Sequence, residues 1–575
     1  MKRDHGAIED AVDDSLFVRI VRLAASQYDW ARGIFKHYDT SNDTTRIVCG
    51  YRNKKTFPWC ALGTQSLMHG SARGPPRPCR IIFAPSVSVR SAGRYMPGFL
   101  LPPSRIDANL IDAFGSRVYA IGGRVRDALF NAAHGTNYAL KDYDYVVVNT
   151  SFETARDALQ QMGRLDLAGA SFAIFKATID GTTVDVALPR RERSTGTGHR
   201  DFHVDFGPEV RIQEDMARRD FTINAISYRL ADGRLEAAPR ALDDIQNRLL
   251  RALGENAFRD DPLRIWRGAQ FAARFNLAVD PDTRQQMKRD ACLATTVCAE
   301  RVNEEITKML AKAERPSIGL ELARETGVLQ LAIPDLADAY GCDQNVYHTY
   351  DVWGHTLAAV DASRRTLLNR LSALLHDIGK PSTRSAEPGP HGYTFYNHDH
   401  QGAQIARTVL RNLKFPNETV DRVARLVDNH MYVADLDLRD AALRRLIRRI
   451  GEDNIDLQMQ LRLADLHGRD ETGLSHIDAR VTRNVAFAEH LREVLATEPA
   501  LNVRDLAVNG HDVIGALVDA GVKPPDYRGD AAVSSVLGTL LEDVTDRPEL
   551  NDREALLDRL ASHACSMRPK IGLKI

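Results

Sequence analysis

No pair of cysteines in this 575-residue chain stands at metal-binding spacing. The seven cysteines, Cys49, Cys60, Cys79, Cys292, Cys298, Cys342 and Cys565, are scattered, and none belongs to a C-x-x-C. That excludes a zinc finger and argues for reduced thiols, hence a cytoplasmic protein. No run approaches the roughly 18 apolar residues of a membrane helix, so no membrane association is expected. The opening, MKRDHGAIEDAVDDS, is too acidic and polar for a secretory or organellar signal. Excess charge is missing too. Lysine and arginine number 76 against 77 aspartates and glutamates, a net −1, so any nucleic-acid contact must come from local clusters of basic residues. There is no repeat of fixed period.

What is present is length and apolar content. The length suggests about three or four domains, and 43% hydrophobic residues suffice for real cores. Residues 1–104 include the Pro-, Gly-, Ser- and Arg-rich stretch SARGPPRPCRIIFAPSVSVRSAGRYMPGFLLPPS, which reads as linker or non-core extension. The texture changes at Arg117. VYAIGG is a short strand entering a glycine turn, RVRDALFNA opens a helix, and KDYDYVVVN is a second strand. AIFKATID and TTVDVAL form a hairpin around Asp180-Gly181. This α/β unit gives way after about Leu242 to helical periodicity that continues to the C-terminus.

Asp142 and Asp144 are two apart in a β-branched run, so on a strand they point to one face and can hold the same pair of metal ions. Two Mg²⁺ ions are what nucleotidyl transfer requires. Twenty residues earlier, Gly122-Gly123 lie at a strand-to-helix turn, followed by Arg124, Arg126 and Asp127. Glycines there let backbone N–H groups approach phosphate oxygens. Asp185 in TTVDVAL is the candidate for a third metal-facing acid.

GGRVRD followed by DYD resembles the head signature of the DNA polymerase β-like nucleotidyltransferases. More narrowly, it resembles their class II branch, the bacterial tRNA nucleotidyltransferases and poly(A) polymerases. Arg218-Arg219-Asp220-Phe221-Thr222-Ile223-Asn224-Ala225 reproduces that family's RRDFTINA element. The resemblance implies that Asp220 accepts from ribose hydroxyls, which favours ribonucleotides because a deoxyribose leaves the acceptor unpaired. It also implies that the arginines face phosphate.

FRDDPLRIWRGAQFAARF is predicted to be one amphipathic helix with Pro262 in its first turn. Asp261 and Arg264 are three apart and share a face. A carboxylate accepts from an exocyclic amine and a guanidinium donates to ring acceptors, a combination that suits cytosine and adenine. Uracil and guanine would each set a carbonyl against the carboxylate. In the class II family this position carries an ED-x-x-R motif acting as a protein template for CTP and ATP; here Asp260 replaces the glutamate. The expected nucleotide contacts are Gly122, Gly123, Arg126, Arg219, Asp220, Asn224, Asp261, Arg264 and Arg267. Arg301, Glu305 and Lys308 fit the family's R-x-x-x-E-x-x-K helix, and their spacing equally describes a structural salt-bridge stripe, the reading preferred.

A second site follows. His355, the adjacent His376-Asp377 ending an apolar helix, and Asp465 give the H…HD…D pattern of the HD phosphohydrolases. That ligand set suits Mn²⁺, Ni²⁺, Fe²⁺ or Mg²⁺. His398 and His430 are candidates for a second metal or a substrate phosphate. ALPRRERSTGTGHRDFHVDF resembles the mobile loop, and DLAVNGHDVIGALVDAGVKP the tail, of the HD-containing bacterial CCA-adding enzymes. Arg439, Arg444, Arg445, Arg448 and Arg449 form a basic cluster that serves either the RNA backbone or a solvated helix face.

The expected architecture is a polymerase β-like α/β nucleotidyltransferase head followed by all-α neck, HD and tail domains. The divisions are 1–104 extension, 105–240 head, 241–340 neck binding nucleobase and RNA, 341–475 HD domain and 476–575 tRNA-binding tail. The implied activity is template-independent addition or repair of the 3′-terminal CCA of tRNA from CTP and ATP, with an HD phosphohydrolase attached. No obligate protein partner is evident. The alternatives are a bacterial poly(A) polymerase and a tRNA-binding metal phosphohydrolase with an inactive head.

Overall fold

The computed structural model describes residues 101–167, 174–194, 202–346, 348–469 and 474–567. The expectations for residues 1–100 and for the tip of the loop at 195–201 lie outside them.

Helix α1 (Arg105–Phe114) starts where Ser104 and Asp107 cap each other's backbone N–H. Strand β1 (Val118–Ile121) then runs into Gly122, whose φ of +71° turns the chain into helix α2 (Gly122–His134). After β2 (Asp144–Val147) come α3 (Phe152–Met162), β3 (Arg164–Leu167), β4 (Ile174–Ile179) and β5 (Thr182–Ala187). Asp180 and Gly181, at φ +49° and +77°, make the two-residue turn that the sequence reading places between β4 and β5. Strands β6 (Arg190–Ser194) and β7 (Phe202–Phe206) pair only with each other. β8 (Ile226–Arg229) and β9 (Leu235–Ala237) complete a mixed seven-stranded sheet of order β3-β4-β5-β2-β1-β8-β9.

KDYDYVVVN is only partly a strand. The β1–β2 register ends at Ile121↔Asp144. Since β1 has already turned at Gly122, Asp142 has no strand to pair with and precedes β2. The Tyr143 carbonyl instead accepts from Asp185 N–H at 3.0 Å, holding the Asp142 segment against β5.

Beyond Ala241 the described chain is helical apart from short pairings. One apolar core runs from Leu101 through head, neck and HD segment to Leu461, while the tail has its own, from Ala500 to Ala564. Arg370 stitches neck to HD segment. It is buried and donates to the carbonyls of Leu310, Ala313 and Glu314 at 2.6, 2.6 and 3.1 Å, neutralising the C-terminal end of the helix Ala299–Lys312. No helix among the described residues is long and apolar enough to cross a membrane.

A buried ion pair anchors the head. Asp107 accepts from Arg124 at 2.6 and 2.7 Å and from the Tyr145 hydroxyl at 2.7 Å. Burial pushes the Asp107 carboxyl up, but Arg124 and Tyr145 outweigh it and hold the group below the usual range. Arg124 also donates to the Pro102 carbonyl at 2.7 Å, and Leu101 is buried in the core. Leu101 and Pro102 thus pack on the head. Asp107→Ala leaves a guanidinium buried without its counter-ion, a change that costs about 3–5 kcal/mol. The expected result is a lower urea midpoint for the head; an unchanged midpoint would contradict this role.

Candidate active site and metal centre

Three carboxylates converge where β1 meets α2. Asp144 and Asp185 are register partners on the parallel strands β2 and β5. A Cβ on Gly122 would stand 2.8 Å from Asp144 Oδ2, and one on Gly123 would stand 2.8 Å from Asp142 Oδ2. A side chain at either glycine would push the facing carboxylate out of its present position, and both carboxylates of the D-x-D meet the turn even though only Asp144 is in the strand. Burial, then the neighbouring Asp142 and Asp185, push the Asp144 carboxyl up to about 6. Asp185 Oδ1 is buried with no hydrogen-bond partner. A cluster of acids that repel one another and hold an orphaned oxygen fits divalent cations, whose charge and coordination would satisfy both defects.

Behind the acids lies a chain of paired polar groups. Arg126 is buried, pairs with Asp127 at 2.6 Å and donates to Asn224 Oδ1 at 2.8 Å. Arg218 and Arg219 both pair with buried Asp215, at 2.7 and 3.2 Å, and Arg219 Nε is buried without a partner. The arginines expected to face phosphate are partly exposed and already share the buried carboxylate of Asp215. Asp220 Oδ1 accepts from Asn224 Nδ2 and from Phe221 N–H, both at 2.8 Å, and Oδ2 from Arg267 at 2.7 Å. Burial raises the Asp220 pKa, but Arg267 overrides this and holds it at about 2.

The expected single helix from Phe258 is two, α4 (Ala257–Asp260) and α5 (Leu263–Phe275). Asp261 is extended between them, the conformation that a following proline favours. Arg264 N–H donates to the Asp261 carbonyl at 3.0 Å, but the two side chains have other partners. Asp261 accepts from Leu263 N–H at 3.1 Å and from Arg301 at 3.0 Å; Arg264 donates to the carbonyls of Ala257 and Arg218 at 3.2 and 2.8 Å. Arg301 lies on α6 (Ala299–Lys312), as does Glu305, which is buried beside Lys308 at 2.9 Å and 3.9 Å from Arg267. The preferred reading of a salt-bridge stripe along one helix holds for Glu305 and Lys308, while Arg301 departs from it and reaches across to Asp261, and Glu305 also lies near Arg267.

The second site is buried in the HD segment. Ligand-capable atoms of His355, His376 and Asp465 lie within 4.8 Å of one another, and so do those of Asp377, His398 and His430. Asp377 joins the two groups. Its Oδ2 is 3.1 and 3.3 Å from His376 and His355, and its Oδ1 is 3.5 and 3.6 Å from His398 and His430. The rings are fixed from behind. Nδ1 of His376, His398 and His430 lies 2.8, 2.7 and 2.6 Å from the carbonyls of Ala373, Phe395 and Val427. A carbonyl only accepts, so each Nδ1 carries a proton, which leaves Nε2 as the atom that each of these rings turns inward and can offer to a metal. His398 and His430 Nε2 face each other at 3.2 Å, and His355 and His376 Nε2 at 3.0 Å. Imidazole nitrogens crowded in this way around the carboxylates of Asp377 and Asp465 are a donor set that fits divalent metal. Burial raises the Asp377 carboxyl, but His376 and Lys380 hold it well below its usual range.

Lys380, absent from the sequence reading, is buried with Nζ 2.7 Å from Asp377 and 2.7 Å from Gln344. Its signal was the spacing of three from Asp377. The basic cluster divides. Arg444 is buried and donates to the Thr545 and Asp546 carbonyls, Arg445 pairs with Asp546, and Arg448 pairs with Glu542. These three hold the tail helix Ala531–Asp546, while Arg439 and Arg449 are exposed.

Three families match in order along the chain: "Poly A polymerase head domain" at residues 118–251, "Probable RNA and SrmB- binding site of polymerase A" at 276–340 and "HD domain" at 345–469. The Multifunctional CCA protein of Verminephrobacter eiseniae is 35% identical over 365 residues, 61% of this chain and 82% of the relative. That of Xanthomonas campestris pv. campestris is 32% identical over 410 residues, 68% of this chain and 93% of the relative. A solved structure of the Bacillus stearothermophilus CCA-adding enzyme in complex with CTP shares the fold, with a TM-score of 0.54 and 21% identity over 81% of this chain and 99% of that one. With head, RNA-binding and HD segments in the same order and relatives matched over most of their length, the chain belongs to the family of multifunctional CCA proteins.

Proposed function

We propose that the protein adds or repairs the 3′-terminal CCA of tRNA from CTP and ATP in the cytoplasm, and that its HD segment is a metal-dependent phosphohydrolase. The observation that carries the first part is the carboxylate cluster against the Gly122-Gly123 turn, with Asp144 raised to about 6 and an orphaned Asp185 oxygen. Asp142, Asp144 and Asp185 would hold Mg²⁺, which supplies charge to the triphosphate and acidifies the attacking 3′-hydroxyl.

The remaining work falls to the protein's own groups. Asp261 accepts from the exocyclic amine of cytosine or adenine, and Arg264 donates to ring acceptors. Each side chain is braced by other partners instead of by the other, so their free edges stay available to a base. Asp220 accepts from the ribose. In the HD segment a divalent ion, drawn from Mn²⁺, Ni²⁺, Fe²⁺ or Mg²⁺, would be held by His355, His376, Asp377 and Asp465, and His398 and His430 would hold a second ion or a substrate phosphate. Metal bound there would supply Lewis acidity to a phosphoryl oxygen and to water.

Asp142→Ala or Asp144→Ala is expected to abolish nucleotide addition while tRNA binding persists, read by incorporation of labelled CTP and by a filter-binding titration. Near-normal turnover in either variant would falsify the assignment.

For base reading, Asp261→Ala removes both the bond to the amine and the repulsion of the uracil carbonyl. A mismatched buried polar contact costs about 1–3 kcal/mol, so kcat/KM discrimination against UTP should drop by roughly one to two orders of magnitude. Equal slowing with CTP, ATP, UTP and GTP would mean that this segment only supports the fold.

The HD reading has a separate readout. His376→Ala or Asp377→Ala should eliminate phosphohydrolase activity and leave CCA addition intact. His398→Ala with His430→Ala should halve the bound metal measured by elemental analysis, from about two ions per chain. Unchanged metal content would remove both histidines from the ligand set.

A further inference from the structure

Arg267 is shared unequally by two buried carboxylates. It holds Asp220 at 2.7 Å, and its Nη1 is 3.9 Å from Glu305 Oε1. Both acids are almost wholly buried, whereas a third of the Arg267 side chain is exposed, so the guanidinium is the member free to move. The acids differ in how well they are satisfied. Asp220 is saturated, with Phe221 N–H and Asn224 on one oxygen and Arg267 on the other. Glu305 has Lys308 on Oε1 and nothing on Oε2.

A buried acceptor left empty is costly, and a native structure that keeps one beside a movable donor holds a vacant berth for it. A ribose hydroxyl, meanwhile, cannot reach the Oδ2 of Asp220 on equal terms while a guanidinium occupies it. The two defects share one remedy.

We propose that Glu305 is a positioning residue for ribonucleotide selection: when a ribonucleotide binds, Arg267 passes from Asp220 to Glu305, freeing Asp220 Oδ2 to accept from the ribose. This rests on the reading of Asp220 as the ribose contact. The hydroxyl replaces the guanidinium on Asp220, and the guanidinium fills the orphaned oxygen of Glu305, so no buried polar group is left unpaired. A deoxyribonucleotide has no 2′-hydroxyl to offer and cannot drive the exchange as far. Arg267 lies on α5 one turn beyond Arg264, and Glu305 lies on α6 one turn beyond Arg301, which braces Asp261. The exchange therefore takes place between the same two helices that set the base-reading pair.

Glu305→Gln tests the hand-over with little change of shape. The amide oxygen goes to Lys308, which can only donate, and the amide NH₂ then faces the guanidinium, donor against donor. The measurement is kcat/KM for CTP and dCTP on tRNA lacking its CCA, using the full chain. With Glu305→Gln, efficiency for CTP should drop about tenfold through KM, with dCTP little changed, so the CTP/dCTP ratio falls by the same factor. In an Arg267→Gln background the same substitution should have no further effect, because there is no guanidinium left to receive. Equal losses for both nucleotides, no change in either, or full additivity with Arg267→Gln would each overturn the proposal. Asp220→Asn separates the layers. If it leaves the CTP/dCTP ratio at the wild-type value, the ribose reading itself fails; if it collapses the ratio while Glu305→Gln does not, only the hand-over fails. Should Glu305→Gln prove unstable by thermal melting, Glu305→Asp, which withdraws the acceptor but keeps its charge, is expected to lower the ratio less than Glu305→Gln, and an unaltered ratio would overturn the proposal.

Discussion

The head depends on how closely a backbone turn can approach two carboxylates. At Gly122 and Gly123 there is 2.8 Å between a would-be Cβ and a carboxylate oxygen, so a side chain at either position would displace the acid that faces it. The turn's positive φ at Gly122 ends β1, and that in turn ends the β1–β2 ladder at Asp144. From that point Asp142 is free of the sheet, the acids crowd together, and their repulsion with burial creates a demand for cations. The sheet, the buried Asp107–Arg124 pair and the helix after the turn all hold this approach in place.

The HD segment meets a similar demand by different means. There the crowding is of imidazole nitrogens, enforced by backbone carbonyls that fix three of the rings from behind. Asp377, reached by four histidines and one lysine, is the single anion on which both groups depend. Between the two sites runs one continuous apolar core, with Arg370 closing the seam, so the chemistry is divided while the scaffold is shared.

Much of this was legible in the sequence. The glycine turn, the Asp180-Gly181 hairpin and the histidine set are local in sequence or carried by strong spacing. What the sequence hid was partnership across elements. Spacing puts Arg301 and Glu305 on one helix face but cannot say that Arg301 braces Asp261 or that Glu305 lies beside Arg267. The break at Asp261 follows from Pro262, yet the apolar period runs through it unbroken. Arg444 reads like its exposed neighbours until the tail helix supplies carbonyls to bury it. Lys380 drew no attention because a lysine near a helix end is ordinary; only its closeness to Asp377 makes it part of the site.

The central claim is that the head and the helix after it together build a defined CCA end. The most direct measurement sequences the 3′ ends of tRNA that stops at the discriminator base after incubation with the protein, CTP, ATP and Mg²⁺. The account expects ends of C, CC and CCA with accumulation at CCA, and no addition by Asp144→Asn. Runs of A without prior C would contradict it in favour of polyadenylation, and unextended tRNA would contradict an active head.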